Sequence, residues 1–205
     1  VMQIKSVNDI ESKPRTFQDI CCTSNYQQSD ENYNRSLLIE NGIIKCMSEA
    51  LKSTNQAECG NAALIIAAQD SNVEVIKFIF KMFKGTIDIN KQDQNGDTAF
   101  ILAAQNSNIK VLQFIFKMYK HIIDINKQNN NGNTALLLAA QASSIDAIKI
   151  ICETFKDNIN INKKNMNGDT VLIFALQDLN GRVFKYLFDT FKDKIDFNKQ
   201  NEYGY

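Results

Sequence analysis

Apolar residues recur along this chain in two alternating patterns, and one stretch, residues 93–128, shows both. Its opening, "DQNG", is polar and reads as a turn, with Gly96 supplying a positive φ that other residues resist. "AFILAA" follows and is apolar on nearly every side, which predicts a short helix over about 99–106 lying between neighbours. Thr98 stands just before it, placed to N-cap the helix by accepting a backbone N–H. Over about 109–120 the pattern changes. Val111, Leu112, Ile115, Phe116 and Tyr119 fall on one stripe at helical spacing, predicting an amphipathic outer helix. "IDIN" then alternates and leads to the next turn.

The same text returns every thirty-six residues, as the spacing of Gly60, Gly96, Gly132, Gly168 and Gly204 shows. Units 57–92, 93–128, 129–164 and 165–200 follow without a gap. The first two agree at 21 of 36 positions and the middle two at 16. No unit can cover its own apolar first helix, so stacking makes the fold. Residues 34–53 have helical periodicity without the turn signature, so 28–56 read as a degenerate capping repeat. The two adjacent helices expected there also resemble an armadillo-type unit. Residues 1–27 form a polar arm, and 201–205 begin a further turn, so flanking repeats or another domain are expected beyond Tyr205.

A helix–turn–helix unit centred on "G-x-T-A-x-x-x-A-A" resembles the ankyrin repeat. The match lies at Gly96/Thr98/Ala103/Ala104, Gly132/Thr134/Ala139/Ala140 and Gly168/Thr170/Ala175, with "x-D-x-N" ends at Asn90, Asn126, Asn162 and Asn198. The resemblance implies an all-α solenoid. It also departs from the family in three ways. The T-P-L-H segment becomes "TAFI", "TALL" and "TVLI" ("AALI" in the first unit), losing the Pro that presets a helical turn and the His that ties neighbouring turns. The Gly between the helices becomes Ser71, Ser107, Ser143 and Leu179; Asn72, Asn108 and Asn180, which follow, are expected to take the left-handed conformation instead. The period is thirty-six where the family norm is 33. The extra residues are read as one added turn of the outer helix, seated by Phe83, Tyr119, Phe155 and Phe191, so these aromatics are expected to pack inward.

Composition narrows the chemistry. Charges balance at 23 basic and 23 acidic residues, which does not suit a phosphate-neutralising nucleic-acid binder. No apolar run approaches the eighteen or so residues of a membrane span, and the N-terminus lacks the apolar stretch of a signal peptide. Cys21, Cys22, Cys46, Cys59 and Cys152 show no metal or disulfide spacing, which suits a reducing, cytoplasmic compartment. One histidine, His121, in a loop, leaves no acid–base or zinc constellation. Asp97 and Asp169 lie two units apart, too far to share a proton. A non-enzymatic chain without a cofactor is expected.

By resemblance, the turns and inner-helix ends form a concave face that grips a partner protein or peptide. The turn positions are Asn61, Asp97, Asn133 and Asp169. The inner-helix ends give Gln69 and Asp70, Gln105 and Asn106, Gln141 and Ala142, Gln177 and Asp178. The positions leading into each turn are Gln92, Gln128, Lys164 and Gln200, and Met166 is read as the one exposed apolar fingertip residue. Stacked helices stand about 8–10 Å apart, whereas a hydrogen bond spans about 3 Å. Gln69, Gln105, Gln141 and Gln177 therefore cannot easily bond one another. Each either satisfies nearby backbone or meets a partner main chain, since an amide both donates and accepts. The expected function is a protein–protein interaction scaffold. The alternatives are a regulatory or targeting segment of a larger enzyme or channel, and an effector imitating host ankyrin modules.

Overall fold

In a computed structural model the described residues are 56–177 and 181–204. The polar arm, the capping repeat up to residue 55, Cys21, Cys22, Cys46 and residues 178–180 (Asp178, Leu179, Asn180) lie outside them. Eight helices and no strand occur among the described residues. Inner helices α1 (Gln56–Gln69), α3 (Ala99–Gln105), α5 (Ala135–Gln141) and α7 (Val171–Leu176) alternate with outer helices α2 (Val73–Met82), α4 (Ile109–Tyr119), α6 (Ile145–Phe155) and α8 (Arg182–Phe191). Inner helices pack on inner and outer on outer, with each pair closed by its own turn. This is the stacked helix–turn–helix solenoid that the periodicity predicts.

The caps follow from side-chain chemistry. Thr98 Oγ1 accepts from Ile101 N at 3.1 Å, Thr134 Oγ1 from Leu137 N at 3.2 Å and Thr170 Oγ1 from Ile173 N at 3.4 Å. Every residue of α3 from Ala99 to Ala104 is buried, as the apolar run requires of a helix between two others. In α4, Val111, Leu112, Ile115 and Phe116 are buried and Tyr119 is half-buried. Phe83, Phe155 and Phe191 are buried at the ends of their outer helices. Phe80 meets Tyr119 with ring centroids 4.9 Å apart, and Phe116 meets Phe155 at the same separation. Such tilted and edge-on pairs are a favourable aromatic geometry.

Two turn expectations are corrected. Asn72 and Asn108 are not left-handed: their φ values are −91° and −85°. The positive φ falls one residue earlier, at Ser71 (62°), Ser107 (54°) and Ser143 (51°). Asn72 Oδ1 instead accepts from Glu74 N and Val75 N, both at 3.2 Å, and Asn108 Oδ1 accepts from Val111 N at 3.2 Å. An N-capping residue needs a non-helical, negative φ to make that bond, so the left-handed step passes to the serine.

The second correction concerns Gly60 and Asn61, which lie inside α1 and not in a turn. "AECGNAAL" lacks the paired Asn or Asp of the later turns, so nothing stops the helix. Gly60 there serves close packing, since a Cβ would stand 2.9 Å from the ring of Phe83. Asn61 is buried, and its Oδ1 accepts from Asp88 N at 2.8 Å.

Candidate functional site

Each finger is a five-residue turn closed on its first side chain. In 93–97, Asp93 Oδ1 accepts from Asn95 N and Asp97 N, both at 2.8 Å. Asn129 repeats this with Asn131 N and Asn133 N, and Asn165 with Asn167 N and Asp169 N. Gly96, Gly132 and Gly168 complete the turns at φ of 75°, 75° and 78°. A side chain there would be strained and would also strike the next finger: a Cβ on Gly96 would lie 2.6 Å from Asn130 N.

Neighbouring fingers and loops are tied chiefly through main-chain groups. Gln92 Nε2 donates to Gly96 O in its own finger at 2.5 Å and to Gln128 O in the next unit at 2.8 Å. Gln128 repeats both bonds with Gly132 O and Lys164 O, and Lys164 Nζ reaches Gln200 O at 2.7 Å. The tie between turns assigned by resemblance to a His is thus made here by amides and one ammonium. Behind the fingers, Asn90 donates to Ile122 O at 2.7 Å and accepts from Asp124 N at 2.8 Å. Asn126 and Asn162 do the same one and two units later.

These bonds divide the expected site residues. The side-chain donors of Gln92, Gln128 and Lys164 are engaged within the array. Asn106 Nδ2 donates to Gln69 O at 2.8 Å, holding consecutive inner-helix ends together. Asp97 is buried and accepts from Asn129 Nδ2 at 2.8 Å, and Asp169 is buried and accepts from Asn201 Nδ2 at 2.7 Å. Burial pushes the Asp97 carboxyl above its ordinary range; the Asn129 bond opposes this and the Asp93 charge adds to it. Asn133 occupies the same register but its Oδ1 is buried with no partner. The donor that would meet it, Asn165 Nδ2, turns instead to the carboxylate of Asp169 in its own finger at 3.4 Å. A charged acceptor draws an amide N–H more strongly than a neutral one.

Gln69, Gln105, Gln141 and Gln177 behave differently. All four are exposed, and among the described residues none of their side chains makes a hydrogen bond. Gln105 and Gln141 face the fingers across a cleft of about 400 Å³, lined also by Asn95, Asp97, Asn133 and Leu138. The amides Asn129, Asn130 and Asn131 complete that wall. Their place in the thirty-six-residue register is the signal the sequence carries for them. Met166 is 70 % exposed at its fingertip, but it is not alone: Tyr203, in the following finger, is 75 % exposed.

Among the described residues no three His, Cys, Asp or Glu side chains are placed to hold a metal, and no helix is long and apolar enough to cross a membrane. Cys152 forms no disulfide among the described residues; burial pushes its thiol up to about 12, with the nearby Glu153 charge adding to it. A comparison with curated proteins gave no match. A family model described as ankyrin repeats (3 copies) matches residues 35–126 and 115–201. Its span, together with the stacked helix pairs and finger turns, places the chain in the ankyrin-repeat family, whose repeats are generally protein–protein interaction modules.

Proposed function

We propose that the array grips an extended segment of a partner protein along its concave face, between the fingers and the exposed ends of the inner helices. One observation carries this reading. Two columns of amides run through the units at the same period, and their fates differ. The column at Gln92 and Gln128 is consumed by finger-to-finger bonds. The column at Gln69, Gln105, Gln141 and Gln177 is exposed, and among the described residues its side-chain amides make no hydrogen bond. An amide contributing nothing to the fold is left to act on what docks against it, and its paired donor and acceptor match a peptide main chain. Met166 and Tyr203 add apolar contact at the fingertips. Tyr is among the residues that most often dominate binding energy.

The test changes Gln69, Gln105, Gln141 and Gln177 together to Ala, leaving Gln92 and Gln128 untouched. Circular dichroism confirms that both proteins are folded, and each is used to capture partners from extract of the native cell. A protein retained by the wild type and lost by the variant supports the concave site. Equal retention of the same protein would reject it and move the interface elsewhere.

A further inference from the structure

The chain's zero net charge hides a separation of charge by face. The segments forming inner helices and fingers (56–72, 93–108, 129–144, 165–177 and 201–204) contain no Lys or Arg and six acidic residues. The outer helices with their following loops (73–92, 109–128, 145–164 and 181–200) carry 17 Lys and Arg against 9 Asp and Glu. The array is therefore acidic where the cleft opens and basic on its back. Lys84, Lys120, Lys156 and Lys192 recur at the same register position, exposed at the ends of the outer helices.

The cleft itself repeats that sign. Asp97 lines it, and among the described residues its carboxylate is held by the Asn129 amide and by no cation. Asp93 stands four residues earlier in the same finger, its carboxylate turned onto backbone N–H groups. Two like charges thus share one fingertip, and burial leaves Asp97 poorly solvated, which raises its carboxyl. A cation arriving from outside would relieve both effects. Beyond the cleft lining, Asp169 is the equivalent carboxylate two units on, likewise buried and held by the amides of Asn201 and Asn165.

We propose that the cleft takes a basic, extended segment of the partner protein, with Lys or Arg side chains reaching Asp97 and Asp169 while Gln105 and Gln141 meet its main chain. This deepens the concave-face reading and rests on it. Spacing adds a constraint. Units stack about 8–10 Å apart and an extended chain advances about 3.4 Å per residue, so Asp97 and Asp169, two units apart, match basic residues about five to six positions apart. Charge of this arrangement also orients the encounter, because the basic back of the array repels the same segment.

The test uses fluorescence anisotropy with the full chain and three labelled twelve-residue Gln/Ser peptides: one with Arg at positions 3 and 9, one with Glu there, and one unchanged. The Arg peptide should bind about tenfold or more tighter than either other, and weaken as salt rises. Asp97→Asn with Asp169→Asn should remove that advantage without changing the neutral peptide. The fold tolerates asparagine at this register, since Asn133 already occupies it. Equal binding of the Arg and neutral peptides, both lost on Gln105→Ala with Gln141→Ala, would overturn the charge inference and leave the concave site standing. Arg-peptide binding unchanged by both double variants would place it elsewhere and reject both. No binding of the Arg peptide at millimolar concentration also overturns the inference.

Discussion

The three serines at positive φ make a quantitative test of how the turns between helices are built. At Ser71, Ser107 and Ser143 the φ values are 62°, 54° and 51°, and an L-residue there costs roughly 1–2 kcal/mol because its Cβ crowds the following carbonyl. Glycine removes that strain but adds freedom to the unfolded chain, worth about 0.5–1 kcal/mol. Among the described residues the serine hydroxyls make no hydrogen bond that would be lost. The inter-unit bond at the first of them, from Asn108 Nδ2 to Ser71 O at 2.9 Å, is to main chain and survives the change. Each Ser→Gly substitution should therefore stabilise by about 0.5–1 kcal/mol, and the triple variant by about 1.5–3 kcal/mol if the sites are independent. For a chain of this size that is a rise in Tm of about 1–4 °C singly and about 3–12 °C together. Urea unfolding followed by circular dichroism, with the slope held constant, reads the same quantity as a shift in midpoint. Ser107→Ala is the control: it keeps a Cβ and should gain nothing. A triple variant with an unmoved or lowered midpoint, or an alanine control that gains as much as glycine, would refute the argument that strain at φ is what serine costs here.

Gly96→Ala should lose about 2–4 kcal/mol by the same unfolding measurement, because strain at φ 75° combines with a clash against Asn130 N. Gly85→Ala, at φ 88° with nothing within 4 Å of the added carbon, should lose only about 1 kcal/mol. Gln92→Ala strands two carbonyls and should cost about 1–3 kcal/mol, more than Lys164→Ala, whose single bond is exposed. The raised Asp97 carboxyl means the folded state holds its proton more tightly than the unfolded state does. Stability should thus fall as pH rises from the ordinary carboxylate value of 3.8 through the higher folded value. Asp97→Asn should flatten that part of the pH–stability curve, and an unchanged slope would contradict the assignment. At pH 8 the buried Cys152 should resist iodoacetamide in the folded protein and react fully in urea, as peptide mass mapping would show.

Much of the fold was legible because each unit states its elements in local chemistry. Thr98, the run "AFILAA" and the stripe from Val111 to Tyr119 each specify a cap, a buried helix or an amphipathic one, and four copies agree. Three things lay outside that local language. Asn72 and Asn108 satisfy two preferences, capping and left-handed backbone, and the sequence does not say which is exercised; hydrogen bonding to the next helix decides it. Gly60 aligns with the turn glycines, yet its role depends on Phe83 arriving from the paired helix. The two amide columns are equivalent as text, and only the path of the fingers shows that Gln92 and Gln128 are occupied while Gln105 and Gln141 are not.

Most ties between units also end on atoms that every residue possesses. Asn90, Asn126 and Asn162 reach the carbonyls of Ile122, Asn158 and Lys194, three residues with nothing in common but a backbone. The receiving positions can therefore mutate without breaking the joint, and a unit duplicated or excised by recombination within the gene would still find its neighbours' contacts in place. Such an array can change its length, and with it the stretch of partner it spans, in a single genetic event, while the exposed positions drift under whatever selection the partner imposes. The asparagines are what make that inheritance modular, since they carry the specification for the joint and ask nothing of the side chains they meet.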